Sequence, residues 1–282
     1  MIKLPSASKA AWKDGLSQDD HLPIRESGDW AAEKHQHLTY YGKMFATGMK
    51  NTFEDRVYIE LFAGPGRCRF PDHKESPGSP LQMMDFELTK FAFIEKNIQA
   101  AEALDSRIAS HSKANLAEVY CGDCAEAVSK IALPATRCLA LTFVDPTGIS
   151  HCPITLIETL RQRIRTDLLI NFPHGMGLKM NKYQYTASST KRSIVTKFLG
   201  TDEWMKFLDK NPADFVRGVL EIYKAQLRKL DYLTGTREVV IHAQNRTPLY
   251  LLLFASRNQL GVDFWDKTMK GVQQPEFPFI LK

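Results

Sequence analysis

Five short segments of this chain put an acidic residue or an asparagine directly behind an apolar run. They are Glu60 ahead of Gly64-Pro65-Gly66, then Glu95-Lys96-Asn97, Gly122-Asp123-Cys124, Asp145-Pro146-Thr147-Gly148 and Asn171-Phe172-Pro173-His174-Gly175. Carboxylates favour surfaces, so one or two such placements mean nothing; five in succession point to a shared site. Glycines behind the first run remove the Cβ that would hold a ligand off the backbone. An acid at the end of the second run is placed to take two ribose hydroxyls. Asp123 can accept from an exocyclic amine while a neighbouring backbone amide addresses a ring nitrogen. Together these describe an adenosine site that lacks a diphosphate cradle. Arg69 stands where the third glycine of G-x-G-x-x-G belongs, and G-x-x-x-x-G-K-[ST] is absent, so both phosphate-binding fingerprints fail.

Such residues converge only if the apolar runs are neighbouring strands. Val57–Phe62, Phe91–Ile94, Val119–Cys121, Leu139–Val144 and Leu168–Phe172 have strand length, and helical spacing intervenes, as in Ile98, Ala101, Leu104 and Ile108 or Ile154, Ile157, Leu160 and Ile164. Strands alternating with helices predict a parallel sheet covered on both faces. Ahead of it, residues 28–50 read as a helix with Gly28-Asp29 as its cap, and a long loop follows Gly66. Ser79 is expected as an N-cap with Pro80 at the first helical position. Helix candidates Thr190–Leu199, Asp202–Leu208 and Ala213–Leu230 follow, then a hairpin of Val239–His242 and Tyr250–Phe254. The expected organisation is an N-terminal extension with a helix (1–50), a Rossmann-like core (51–175), a helical insertion (176–236) and closing strands (237–282). The fold class is α/β, a mostly parallel seven-stranded sheet with an antiparallel edge hairpin.

At 282 residues the chain can bury a core without disulfides or metal, and 44% hydrophobic with 24% charged residues excludes a disordered or fibrous protein. No apolar run approaches the roughly 20 residues that span a bilayer, and the first residues lack a hydrophobic signal core. Five cysteines, an odd number, suit a reducing cytoplasm, the expected location. The net charge of +5 is unevenly spread: residues 1–150 hold 17 Lys/Arg against 20 Asp/Glu, whereas 151–200 hold 8 against 2. That split suggests a localised anionic partner or a solvated face.

ELFAGPGR (Glu60–Arg67), FIEKN (Phe93–Asn97), YCGDC (Tyr120–Cys124) and FVDPTG (Phe143–Gly148) resemble, in order, motifs I to IV of class I S-adenosylmethionine-dependent methyltransferases. The chain is more closely similar to the three-Cys-motif partner family, from Pro23–Ser27 and Trp30 through Asp167–Lys179 to Phe198–Trp204. The resemblance implies a class I methyltransferase fold, S-adenosylmethionine as cofactor, and a separately encoded partner thought to be an iron–sulfur protein. It implies that Gly64, Pro65 and Gly66, with Phe62, pass the methionine part and Glu60 supports its ammonium. Glu95 would bind the ribose, Asp123 and Cys124 would meet the adenine, Lys96 would belong to the same cofactor site, and Asp145-Pro146 would face the methyl group. Only the first two positions of the amino-methylating D/N-P-P-Y/F motif are matched, and no cysteine follows a proline at the fourth strand, as cytosine-C5 chemistry requires.

Asp145 can orient an amine or accept its proton, with Asn171 as a second polar contact; each can equally serve cofactor binding or loop closure. Cys121 and Cys124 form C-x-x-C, but a strand position for Cys121 favours structure over redox chemistry. The scattered cysteines and histidines offer no metal site. Arg67, Arg69, Lys179, Lys182, Lys191 and Arg192, interleaved with Tyr183 and Tyr185, are the candidates for substrate binding, a mixture that holds phosphate and stacks bases. Arg161, Arg163 and Arg165 can instead offset a helix dipole. The expected function is methyl transfer to an anionic substrate, with nucleic acid ahead of a protein partner; the alternative is a non-catalytic S-adenosylmethionine-binding protein that supports the iron–sulfur partner. Arg69 disfavours a nicotinamide-dependent enzyme.

Overall fold

Strands that are apolar on both faces must be covered from both sides, and this decides the architecture. The computed structural model describes residues 1–134 and 137–272. In chain order the first half forms β1 (Ile2–Lys3), β2 (Arg25–Glu26), α1 (Trp30–Gly48), β3 (Asp55–Leu61), β4 (Arg67–Arg69), β5 (Glu75–Pro77), α2 (Ser79–Met84), β6 (Lys90–Glu95), α3 (Ile98–Ala109) and β7 (Ala117–Cys121). The second half forms α4 (Cys124–Val128), β8 (Cys138–Val144), α5 (Ile154–Arg163), β9 (Thr166–Phe172), α6 (Lys182–Ala187), α7 (Ser189–Leu199), α8 (Pro212–Lys229), β10 (Leu233–Thr234), β11 (Val239–His242), β12 (Pro248–Ser256) and α9 (Gln259–Val272).

Among the described residues one sheet has nine strands, in the order β1-β7-β6-β3-β8-β9-β12-β10 with β11 also on β12. β7, β6, β3, β8 and β9 are parallel. β12 runs antiparallel to β9, and β11 antiparallel to β12. Helices α5, α7 and α8 bury Ile157, Leu160, Phe198 and Tyr223 on one face; α1, α3 and α9 bury Leu38, Tyr41, Leu104, Trp265 and Met269 on the other. This is a Rossmann-like α/β sandwich. The segment 176–236 is not a separate body: Phe172 at the end of β9 meets Phe198 of α7 at 5.9 Å and Tyr223 of α8 at 5.5 Å. No helix among the described residues is long and apolar enough to cross a membrane.

Several local expectations are corrected. The segment after Gly66 is a hairpin, β4–β5, joined by β2 into a small three-stranded sheet. Cys68 points inward between two outward arginines, and three residues are too few for that alternation to stand out. Ser79 does not cap α2. Gly78 takes the N-cap and Ser79 is the first helical residue, because its hydroxyl donates to the buried Glu60 Oε1 at 2.6 Å. Asp29 precedes α1 without a capping hydrogen bond, since its carboxylate accepts from Gln244. The expectation of strands alone over 237–282 missed α9. Its buried Val262, Trp265 and Met269 sit at i, i+3 and i+7, and Trp265 stacks on Phe254 at 5.1 Å. Residues 1–50 also carry β1, which adds to the β7 edge, and β2.

Candidate functional site

From β3 the chain moves outward to β6 and β7, then returns to β8 on the other side of β3. Crossovers on opposite faces leave a crevice at the carboxyl ends of β3 and β8. Register pairs Leu61 with Val144 and Val144 with Ile170. The residues that follow, Phe62, Asp145 and Asn171, therefore arrive side by side.

The first wall is the loop after β3. Phe62, Gly64 and Gly66 have φ of +70°, +66° and +86°. A non-glycine residue in that region carries strain of about 1–3 kcal/mol, so the surroundings must hold it. Ala63 N–H donates to the Ile94 carbonyl at 2.8 Å, and Gly64 N–H to Glu95 Oε2 at 2.9 Å. Arg107 of α3 donates to the Pro65 carbonyl while its fork grips Asp20 at 2.8 Å. That guanidinium holds the Asp20 carboxyl down at about 2. A Cβ on Gly64 would meet nothing within 4 Å, so this backbone faces open space.

The opposite wall is Asp145. Asn171 Nδ2 donates to its Oδ1 at 2.6 Å, and Lys34 of α1 donates to its Oδ2. Lys34 and Asp145 are only 12% and 17% exposed, so the pair is largely withdrawn from water. Burial pulls the Lys34 ammonium down, but the Asp145 carboxylate outweighs it and holds the group above the ordinary lysine value. Beside it, burial pushes His35 down to about 3, which keeps that imidazole neutral. Between the walls, burial pushes the Glu60 carboxyl up to about 8, against hydrogen bonds from Ser79 and from Tyr58 at 2.8 Å. These groups, with Arg25–Ser27, Pro146-Thr147 and Tyr250, enclose a cleft of about 200 Å³.

Of the residues singled out in the sequence, Glu60, Phe62, Gly64, Pro65, Gly66, Arg67, Asp145 and Pro146 line this cleft. Asn171 reaches it through Asp145, and its Oδ1 is buried without a hydrogen-bond partner among the described residues. Glu95, Lys96, Asp123 and Cys124 form a neighbouring group along the strand ends. There Glu95 accepts from the Gly64 and Asn97 amides, and Lys96 pairs with Asp123 at 3.2 Å. Burial raises the Cys121 and Cys124 thiols, opposite to what a redox pair needs.

The basic cluster divides. Arg69 pairs with Glu26 at 2.7 Å and Glu75 at 2.6 Å, holding the small sheet together away from the cleft. Lys182 is 4% exposed and donates to the Lys210 carbonyl. Lys179, Lys191 and Arg192 are exposed. Arg161 pairs with Asp231, Arg163 donates to Ser129 and Arg165 lies over Phe53, so the helix-end arginines sit at the amino ends of the strands, opposite the cleft. The charge excess over 151–200 therefore does not mark one face. Among the described residues no group of three His, Cys, Asp or Glu side chains is placed to hold a metal ion.

Sequence reasoning missed Lys34, Tyr250 and Arg107. Lys34 carried a signal, since it lies four residues before Leu38 on the buried stripe of α1, where a lysine needs a partner. Tyr250 and Arg107 carried none.

No family model matches the chain, and no curated protein matches it. Among solved structures, a protein from Legionella pneumophila str. Philadelphia 1 aligns over 88% of this chain and 93% of its own at 11% identity, with a TM-score of 0.47. The O-methyltransferase TomG from Streptomyces achromogenes, solved with SAM, aligns over 83% and 92% at 14% identity and 0.42. Cofactor-bound Rv0187 from MTB aligns over 82% and 91% at 12% identity and 0.43. At such scores the fold reading rests on the strand order and register themselves.

Proposed function

We propose that the chain is an S-adenosylmethionine-dependent methyltransferase of the class I type, related to the three-Cys-motif partner proteins its motifs resemble, and that it acts on an anionic acceptor of nucleic-acid type. One observation carries the reading. At the switch point of the sheet, a positive-φ loop with an open glycine face and the Lys34–Asp145–Asn171 cluster confront each other across one cleft.

The residues present fit the cofactor. Gly64 borders the cleft with room for a ligand where a side chain would stand, and Glu60 is a buried carboxyl that can give up its proton to meet an ammonium. In this reading Phe62, Gly64, Pro65 and Gly66 border the methionine part, Glu95 holds the ribose, and Lys96, Asp123 and Cys124 meet the adenine. The bound group supplies an activated methyl. What remains for the protein is to orient the acceptor and exclude water. Asp145, clamped through both oxygens by Lys34 and Asn171, is a fixed acceptor of hydrogen bonds beside Pro146.

A second reading draws on the same clamp. Because both Asp145 oxygens are already bonded, the site is self-satisfied, as suits a non-catalytic cofactor-binding protein that supports an iron–sulfur partner. Labelled methyl transfer to total RNA, DNA or protein, with and without that partner, separates the two. Transfer abolished by Asp145→Ala, with cofactor affinity largely kept, establishes the enzyme; absence of transfer under every condition favours the second reading.

A further inference from the structure

Beyond the cleft lies a second cavity of about 320 Å³, bordered on its inner side by Pro146, Thr147 and Gly148. It shares Pro146, Thr147 and Tyr250 with the cleft, so its inner end opens beside Asp145. Its outer walls belong to the part of the chain that interrupts the strand–helix alternation, namely the turn after β9 and helices α6 and α7.

The chemistry of the lining is specific. Pro146, Pro173 and Tyr185 give flat apolar walls, and the Tyr185 ring is fixed because its hydroxyl donates to the Gly177 carbonyl. Gln184 adds an exposed amide edge that can both donate and accept, beside Asn181, whose Nδ2 donates to the Gly177 carbonyl at 3.5 Å. Lys191, on an exposed turn of α7, supplies a cation at the rim, and no lining residue among those described is a carboxylate. Just outside, Met180 and Tyr183 leave 68% and 69% of their surfaces exposed beside the exposed Lys179. Flat walls, an amide edge and one cation match a planar ring with a polar edge and an attached phosphate. The volume, near the lower end of the range for small-molecule sites, suits a single such unit. An exposed aromatic with cations along the rim is what a continuing strand requires.

We infer that this cavity is the acceptor site and that it takes one nucleotide, its base between the apolar walls and its phosphate at Lys191. The inference rests on the methyltransferase reading and names its acceptor. A free mononucleotide and a nucleotide turned out of a single strand share this chemistry.

The test is titration of the full chain, with and without saturating S-adenosylhomocysteine, using the four ribonucleoside 5′-monophosphates, the matching nucleosides, a ten-residue oligoribonucleotide and benzoate. Lys191→Glu and Gln184→Trp are compared with the wild type, with melting curves to confirm folding. At least one monophosphate is expected to bind about tenfold more tightly than its nucleoside. Lys191→Glu should remove that difference, and Gln184→Trp, which fills the cavity from an exposed position, should remove both while S-adenosylhomocysteine still binds. Tighter binding of the oligoribonucleotide identifies a strand as the source; equal binding identifies the free nucleotide. S-adenosylhomocysteine binding without nucleotide binding, or benzoate binding in place of nucleotides, overturns the inference and leaves the methyltransferase reading standing. Failure of S-adenosylhomocysteine itself to bind overturns both.

Discussion

Replacing Lys34 with methionine removes a positive charge from the wall of the cleft and keeps most of the side-chain volume. Two effects follow. The first is on stability. The pair is 12% and 17% exposed, and removing one member of a largely buried ion pair costs about 3 kcal/mol, the lower end of the usual range, because some water still reaches Asp145. In a chain of this size that lowers Tm by roughly 5 °C. The second effect is on ligand discrimination. S-adenosylmethionine and S-adenosylhomocysteine differ by a methyl group and one positive charge. With Lys34 gone, the Asp145 carboxylate faces that charge unneutralised. Unit charges roughly 8 Å apart at an effective dielectric near 20 interact by about 2 kcal/mol, or roughly thirtyfold in affinity. Calorimetry of both ligands at pH 8 should show the ratio of their Kd values shifting by about thirtyfold toward S-adenosylmethionine in Lys34→Met, and returning to the wild-type ratio in Lys34→Arg. An unchanged ratio in folded Lys34→Met would mean that the ammonium does not govern the charge of this cleft, and the reasoning would be wrong.

Other expectations follow from the same geometry. Glu60 sits at about 8, so at pH 7 it is mainly protonated, and binding a ligand ammonium should release a proton. Calorimetry at pH 7 in buffers of different ionisation enthalpy should detect that release in the wild type and not in Glu60→Gln; equal release in both removes Glu60 from the site. Burial lifts the Asp167 carboxyl to about 6. Between the ordinary value and 6 the unfolded chain loses its proton while the folded chain keeps it, so stability falls as pH rises through that window and the deficit persists above it. Asp167→Asn should therefore raise Tm at pH 7.5, by an effect of order 2–3 kcal/mol, and change it little at pH 4; a shift of the same size at both would contradict the assignment. Arg107→Ala releases the Pro65 carbonyl and should weaken S-adenosylhomocysteine binding by about tenfold. Unchanged affinity would show that the loop holds its shape without that arginine.

The sheet could be read from the sequence because its information is local. Val57–Leu61 or Leu139–Val144 announces a buried strand by composition, and an acid behind each strand end needs only the strand order to become a cluster. Asp145 and Asn171, 26 residues apart, meet at 2.6 Å because β8 and β9 are neighbours in register. Lys34 reaches Asp145 across 111 residues of chain, from a helix outside the alternating pattern, and no local spacing encodes that contact. Arg69 has the look of a surface cation until Glu26 and Glu75 are brought to it by the small sheet. Charge counted along the chain mixes the two ends of the molecule, since every strand–helix unit runs from one end to the other. Arg161 and Arg165 thus lie far from Lys191 in space though close in sequence. Helix α9 was within reach through the i, i+3 and i+7 spacing of Val262, Trp265 and Met269.

The central claim is that the cleft at the ends of β3 and β8 binds the adenosyl cofactor. Calorimetry of the wild type and Gly64→Leu with S-adenosylhomocysteine and with NAD tests it most directly. A Cβ at residue 64 meets nothing within 4 Å, so the leucine should be accommodated at the cost of its positive φ, roughly 1–2 kcal/mol, while its side chain occupies the cleft. The prediction is one-to-one binding of S-adenosylhomocysteine to the wild type, no binding of NAD, and loss of the first in folded Gly64→Leu. Wild-type protein that ignores S-adenosylhomocysteine, or a Gly64→Leu variant that binds it undiminished, would contradict the claim.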